Sequence, residues 1–424
     1  MKTVALILFI ATYVFMLVLP KRRMFVVMIS AALFLILGIL PLSEVPGVID
    51  WNVLLMLAGT MGAVHFFIES GMPARMADIL VEHIHSVKWV FISLALFAGI
   101  ISAFIDNVAT VLMIAPIGLA IAHKFKVSPV PVVLSIAVSS NLQGAATLVG
   151  DTTSIMLGSH LGMSFADFFV YHGHPGMFFI VEAGAVATIP VLMFIFRREK
   201  GTVENKEMTE VTDRFPSFAL LGIVVTLIAA SFIPNKPEMT NGFICAGYFL
   251  LVFLHTLVKN KKNRRRIAQE AFASLDIETI VLLGCLFIVI AGVSAAGLID
   301  DISSLFVRLG GSSLFLTYTI VVWFSVLFSA FIDNIPYVAA MLPVVGVIGT
   351  TLNVQPDVLY FGLLAGATLG GNLTPVGASA NIAASGMLRQ MGYTVKNKDF
   401  MRIGVPFTLV AILTGYLLIW VFYA

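Results

Sequence analysis

The chain has 424 residues, of which 59% are hydrophobic and 11% charged, with a formal net charge of +2 and a mean hydropathy of +1.01. Soluble domains carry about 25% charged residues, so this composition excludes a soluble globular protein and gives no basic surplus for a nucleic-acid partner. Cys245 and Cys285 both lie in apolar runs, which indicates neither a disulfide framework nor a thiolate metal site.

In chain order, the first apolar run covers residues 3–20 and has its basic cluster, Lys21-Arg22-Arg23, behind it. That is the wrong polarity for a cleaved signal peptide and predicts a first spanning helix. Further runs near the roughly 20 residues needed to cross a bilayer follow at 24–44 and 51–70. Residues 88–122 are apolar except at a central Asp106-Asn107, and residues 130–160 are apolar at both ends with Gly, Thr, Ser and Asn between. Non-helical backbone survives at membrane depth only where protein or water satisfies it. The first of these stretches therefore reads as a helical hairpin with Asp-Asn at its tip, and the second as a broken helix. A span at 172–196 closes this half, and a charge-rich linker, 198–214, follows. The remainder reads as spans at 217–233, 240–258 and 276–298, a hairpin at 312–350, a broken helix at 357–388 and a last span at 403–423.

The two halves repeat one another. Ser102-Ala103-Phe104-Ile105-Asp106-Asn107 returns 227 positions later as Ser329-Ala330-Phe331-Ile332-Asp333-Asn334. The same shift aligns Pro116 with Pro343, Gly144 with Gly371, Thr147 with Thr374 and Gly150 with Gly377. Repeat 1 is thus 1–197, the linker 198–214 is cytoplasmic, and repeat 2 is 215–424. If the spans alternate with the N-terminus outside, 22 of the 25 Lys and Arg residues fall inside, leaving Lys2, Lys236 and Arg308. The positive-inside rule selects that orientation. It also makes the repeats inverted, because the segment from Trp51 starts outside and its mate near Glu278 starts inside. The predicted fold is an all-α polytopic membrane protein with two inverted repeats, re-entrant hairpins and broken helices, the layout of secondary transporters. The expected location is a bacterial or archaeal plasma membrane.

An Asp at bilayer depth opposes insertion by roughly 2.5 to 3.5 kcal/mol, so a duplicated one needs a partner or a purpose. The tips are Asp106-Asn107-Val108-Ala109-Thr110 and Asp333-Asn334-Ile335-Pro336-Tyr337. A carboxylate carries a proton or binds a hard cation, and the adjacent amide adds an oxygen ligand, which makes Asp106, Asn107, Asp333 and Asn334 an expected Na+ site. Capping of free backbone N–H groups is the simpler alternative, and the two roles coexist. The broken centres supply Thr147, Gly150, Asp151, Thr152 and Thr153 from one half, and Thr374, Gly377, Ser379 and Asn381 from the other. There, Gly permits unwinding, carbonyls coordinate cations and half-helix N-termini attract anions. Asp151 has Ala378 as its mate, so three carboxylates and no Lys or Arg stand in these motifs, a set that favours cations or protons. His65 and Glu69, one turn apart, and Glu182 invite a proton-relay reading, although local hydrogen bonding is simpler.

At these residues the chain resembles the ion transporter superfamily of arsenite permeases, NhaD-type sodium/proton antiporters, P proteins and dicarboxylate/sodium symporters, over essentially its whole length. Dicarboxylate symporter tips typically read Ser-Asn-Thr, whereas these read Asp106-Asn107-Val108 and Asp333-Asn334-Ile335. Gly150-Asp151-Thr152-Thr153 looks like the antiporter type, and the segment from Gly371 to Asn381 looks like the arsenite-permease and P-protein pattern. The resemblance implies an elevator-like mechanism, often in a homodimer. The expected activity is H+- or Na+-coupled movement of a small inorganic ion or solute: sodium/proton antiport first, arsenite-type efflux next, and anion or carboxylate transport as the alternative. A channel and an intramembrane aspartyl protease are remote; the latter needs Gly-x-Gly-Asp, and no Gly stands two residues before Gly150. No enzymatic activity, nucleic-acid partner or cofactor beyond the coupling ion is expected. No Gly-x-x-x-x-Gly-Lys motif occurs, so ATP drive would need a separate partner.

Overall fold

A computed structural model of the chain describes every residue except 202–207 and 312. The first position of the predicted hairpin 312–350 and the middle of the linker 198–214, including Lys206, thus lie outside the described residues. Among the described residues the architecture is all α, apart from one two-stranded ribbon in which β1 (Val170–Tyr171) pairs antiparallel with β2 (His174–Pro175).

Repeat 1 begins with α1 (Lys2–Val18) and α2 (Arg23–Ile36), joined at a 114° bend, and a short α3 (Val45–Val48). It continues through α4 (Trp51–Glu69), α5 (Met72–Glu82), α6 (Val87–Ser102) and α7 (Asn107–Lys124). Then come α8 (Pro129–Gly144), α9 (Thr152–His160) and α10 (Met177–Ile195). Repeat 2 consists of α11 (Phe215–Ser231), α12 (Thr240–Lys259), α13 (Arg264–Ala273), α14 (Ile277–Ala295) and α15 (Leu298–Gly310). It closes with α16 (Leu314–Ser329), α17 (Asn334–Leu352), α18 (Asp357–Gly370), α19 (Ser379–Gln390) and α20 (Asn397–Tyr423). Shifted by the 227-residue repeat, α6 superposes on the bounds of α16, and α4, α5, α7 and α9 fall on α14, α15, α17 and α19 within a residue or two at their starts.

Seven of the described helices are long and apolar enough to cross a membrane alone: α4, α7, α10, α12, α14, α17 and α20. The expected full span at 24–44 is shorter, because α2 stops at Ile36 and Gly38 takes a left-handed φ of +66° before Pro41. At 1.5 Å per residue α2 is only about 21 Å long, and it passes as a span only together with α1. The expected span 172–196 likewise loses its start, since residues through Pro175 belong to the ribbon and α10 begins at Met177. Besides the one-turn α3, three helices were not foreseen: α5, α13 and α15. All are amphipathic; α15 buries Ile299, Ser303, Phe306 and Gly310 on one face while Asp300, Asp301 and Arg308 are exposed.

The repeats interlock. Helix α2 packs on α14 of the other repeat, and α12 packs on α4. The second contact is backbone-close: a Cβ on Gly59 of α4 would sit 2.3 Å from the carbonyl carbon of Cys245 in α12. Innermost are α8 and α18, buried continuously from Val132 to Gly144 and from Val358 to Gly370, as expected for helices apolar on every side. The described end of the linker is tied down, with Thr209 donating from N and Oγ1 to Asp78 (2.8 and 2.6 Å) and Asp213 pairing with Lys259 at 2.8 Å.

Candidate substrate site

Each hairpin tip is a sharp turn ending in a capped helix start. Asp106 Oδ1 accepts from the N–H groups of Val108 (3.0 Å) and Ala109 (3.1 Å), and Asp333 Oδ1 accepts from Ile335 N–H (3.3 Å). Thr110 is buried behind its tip and donates to the Asp106 carbonyl at 3.0 Å. The two helix breaks lock onto the tips in the same way: Thr147 Oγ1 donates to the Ala103 carbonyl and Thr374 Oγ1 to the Ala330 carbonyl. Gly150 and Gly377 sit beneath these contacts. A Cβ on Gly150 would lie 2.5 Å from Gly144 O and 2.7 Å from Ala103 O, and one on Gly377 2.6 Å from Gly371 O. Backbone oxygens cannot retreat as a flexible side chain can. Gly150→Ala and Gly377→Ala should therefore each cost about 1–3 kcal/mol by overpacking, read as a lower Tm in detergent. Gly386→Ala, with nothing within 4 Å, should leave Tm nearly unchanged. Equal Tm values for all three would refute the close backbone packing.

The tips and breaks meet in one cavity of about 390 Å³. Asp106, Asn107, Asp151, Thr152, Asp333, Asn334 and Ser379 line it. Thr110, Thr147, Gly150, Thr153, Thr374, Gly377 and Asn381 do not reach its surface; they form the layer that holds the lining residues. Thr153 Oγ1, for instance, donates to Asp151 Oδ2 at 2.9 Å. The C-terminal half of α4, at Met61, Val64, His65 and Ile68, shares this cavity with Asp276 and Thr279 at the start of α14. Repeat mates α4 and α14 thus run antiparallel, which is the inversion of the two halves in three dimensions. His65 Nε2 lies 3.7 Å from Glu69 and makes no hydrogen bond, while buried Glu182 Oε1 has no partner among the described residues.

Behind the cavity lies an amide network that joins the repeats. Asn107 Nδ2 donates to Asn141 Oδ1 (2.9 Å), and Asn141 Nδ2 donates across the repeat boundary to Asn372 Oδ1 (2.8 Å) and Asn381 Oδ1 (3.0 Å). Asn372 Nδ2 in turn reaches the Val138 carbonyl at 2.9 Å. Ser140 Oγ bonds Ser102 Oγ at 2.9 Å, and Ser329 bonds the Asn334 amide. With its amide turned to suit its neighbours, Asn334 donates to Ala367 O at 3.1 Å and Gly377 O at 3.3 Å. Sequence reasoning missed Asn141, Asn372 and Ser102; for Asn141 the signal was a polar side chain on a helix buried on every side, whereas Asn372 stands in the 3-10 turn after α18.

One expectation is corrected. Arg23, counted above among loop residues that set topology, contacts Asp333 through Nη1, with Nε 3.8 Å from Glu278. The sharp turn at Pro20–Arg22 brings the start of α2 against tip 2, so the site is not free of basic side chains. Asp106 and Asp151 have no cationic partner among the described residues, where no group of three His, Cys, Asp or Glu side chains is placed to hold a metal ion.

The citrate transporter family matches this sequence over residues 6–366 and again over 268–424. The chain belongs to that family. Its relatives include an uncharacterized transporter of Mycobacterium tuberculosis, 28% identical over 100% of this chain and 99% of that protein. A 46 kDa membrane protein of Mycobacterium leprae is 29% identical over the same shares. Human P protein is 25% identical over 89% of this chain but only 54% of its own length, so the chain spans about half of it. The crystal structure of the YdaH transporter of Alcanivorax borkumensis, described as having an unusual topology, superposes with a TM-score of 0.60 over 89% of this chain and 87% of that one, at 13% identity. That likeness speaks to fold. This citrate transporter family member is an integral membrane transporter with the inverted-repeat architecture that its sequence predicts.

Proposed function

We propose that this family member is a secondary active transporter that exchanges a small inorganic cation or solute for protons, with Na+/H+ antiport ahead of arsenite-type efflux. The observation that carries this reading is the pair of carboxylates, Asp106 and Asp151, that have no cationic partner among the described residues and stand on the wall of a cavity where both tips meet. Unpaired acids at that depth are costly unless they bind a cation or proton in turn. Amide and hydroxyl oxygens of Asn107, Thr152, Asn334 and Ser379 share that wall and complete an oxygen-rich site for a hard cation. Helices α6–α9 and α16–α19, joined through the Asn141 network, would move as one block against α1, α2, α4, α11, α12 and α14. Such motion is the elevator mechanism, within a homodimer in a prokaryotic plasma membrane, N-terminus outside. Ser274 and Asp276 at the cavity follow the basic helix α13, which supports an inward-open state.

A second reading, H+- or Na+-coupled uptake of an anion such as a carboxylate, is favoured by two observations. The family carries the name of citrate transporters, and the half-helices α9 and α19 begin at the cavity without a side-chain cap, positive dipole ends outward. Proteoliposomes with an imposed pH gradient, challenged in turn with Na+, Li+, arsenite and citrate, separate the two. Collapse of the gradient by Na+ or Li+ alone is the expected result. Collapse only when citrate is added would transfer the site to the anion reading.

A further inference from the structure

The contact between Arg23 and Asp333 is asymmetric within a symmetric fold. Helix α12 occupies in repeat 2 the place of α2 in repeat 1, yet it starts Thr240-Asn241-Gly242 and spends its N-terminus on Asn52, with Gly242 N donating to Asn52 Oδ1 at 2.8 Å. Among the described residues tip 1 meets no cationic side chain, whereas tip 2 meets a guanidinium. The guanidinium is bracketed by two acids of unequal depth. The Asp333 side chain is 16% exposed and also accepts from Ser379 Oγ at 3.3 Å, whereas Glu278, at the rim, is 48% exposed. A second scaffold contact seizes the same tip: Tyr13 of α1 donates to the Pro336 carbonyl at 2.7 Å.

We propose that Arg23 is a tethered stand-in for the transported cation: it fills the Asp333 carboxylate in the unloaded state and moves outward to Glu278 when a cation takes its place. Arg never loses its proton, so only movement can free Asp333 from it. The carboxylate is thereby spared from standing bare at depth between loadings, and tip 2 stays fastened to α1 and α2 until cargo arrives. This rests on the reading of the cavity as a cation site. A ligand that must displace an internal competitor binds with its intrinsic dissociation constant divided by the fraction of time the site is vacant, and so more weakly. Removing the competitor raises apparent affinity, and removing the place it retreats to lowers it.

The test uses the full-length protein in detergent and in proteoliposomes, with NaCl and LiCl as probes against choline chloride. Arg23→Gln should lower the half-saturating cation concentration by about tenfold, as expected where the competitor is seated nine-tenths of the time. Glu278→Gln should raise it, though both substitutions neutralise one charge of the same cluster. Cation-dependent Tm gives a readout independent of flux, and Arg23→Gln should show the larger rise at low cation. Hydrogen exchange over residues 329–337 should speed up in Arg23→Gln without cation and return to the wild-type rate when cation is added. If Arg23→Gln folds poorly for want of a partner for Asp333, the Arg23→Gln/Asp333→Asn double variant should recover wild-type Tm and lose the cation response. Shifts of the two single variants in the same direction, or no shift in either, would overturn the stand-in role. If neither ion changes Tm in wild type or variants, while tip exchange still quickens in Arg23→Gln, the cation reading itself has failed and Arg23 is only a fastener.

Discussion

Asp106→Asn and Asp151→Asn should each abolish coupled transport while leaving the protein folded in the membrane. Asn is as good an N-cap as Asp, so the Asn side chain at 106 keeps an oxygen for the N–H groups of Val108 and Ala109. At 151 the same substitution keeps an acceptor for Thr153 Oγ1. What is lost is the ability to carry a proton or a full negative charge. Hydrogen bonds and contacts to a charged group are worth about 1.5–3 kcal/mol, and the upper figure corresponds to a fall of roughly 100-fold in cation affinity. The measurement is ion-driven proton flux beside Tm for each variant, with Thr188→Ala as a control at a buried residue remote from the cavity lining. Wild-type pH-dependent flux in both Asn variants would remove these carboxylates from the mechanism. Loss of flux accompanied by collapse of Tm would instead assign them to the fold.

The hairpins and breaks were legible because the chain states them twice. A polar Asp-Asn flanked by apolar helix on both sides can only be a turn that other parts of the protein must satisfy, and the 227-residue shift carries α6 onto α16 residue for residue. Gly150 and Gly377 were legible as breaks, but their reason is contact with the backbone of the neighbouring tip, which periodicity does not report. The amphipathic helices α5, α13 and α15 escaped notice because a span-length window averages their polar and apolar faces together. Arg23 was read correctly as basic and misread as free in a loop, since its partner Asp333 lies 310 positions away. The carboxylates and amides that the tips bring to the cavity were therefore readable from local pattern, whereas Asp276 and Thr279 in its lining and the Arg23 contact were not. Likewise, Asn141 has no counterpart in repeat 2, where Thr368 takes its place, so the repeat logic that found the tips passed over the residue joining them.

Asn141→Ala should be among the most destabilising single substitutions in the chain. The side chain is fully buried and all three of its hydrogen bonds go to other buried amides: it accepts from Asn107 and donates to Asn372 and Asn381. Truncation leaves the acceptors on the fully buried Asn372 and Asn381 without that partner and frees the donor of Asn107 beside the cavity. Each buried polar group left unpaired costs about 1–3 kcal/mol, so the loss should exceed roughly 3 kcal/mol in all. Asn372 and Asn381 keep their bonds to the Val138, Gly371 and Thr374 carbonyls, which caps the damage and keeps each half-helix in place. Asn141→Leu, similar in volume, should cost nearly as much, because volume is not what is missing. Thr188→Ala makes the contrast: it too is fully buried, but it removes only a local bond to the Ala185 carbonyl, at about 1 kcal/mol. Thermal unfolding in detergent reads all three. Because the network is a buried polar link between the two broken helices, beside the Thr153–Thr368 hydroxyl pair, Asn141→Ala should also slow transport without changing which ions drive it. A Tm for Asn141→Ala no lower than that of Thr188→Ala would mean that the amide network does not hold the halves together, and the amides would then have to be explained by what they offer the cargo.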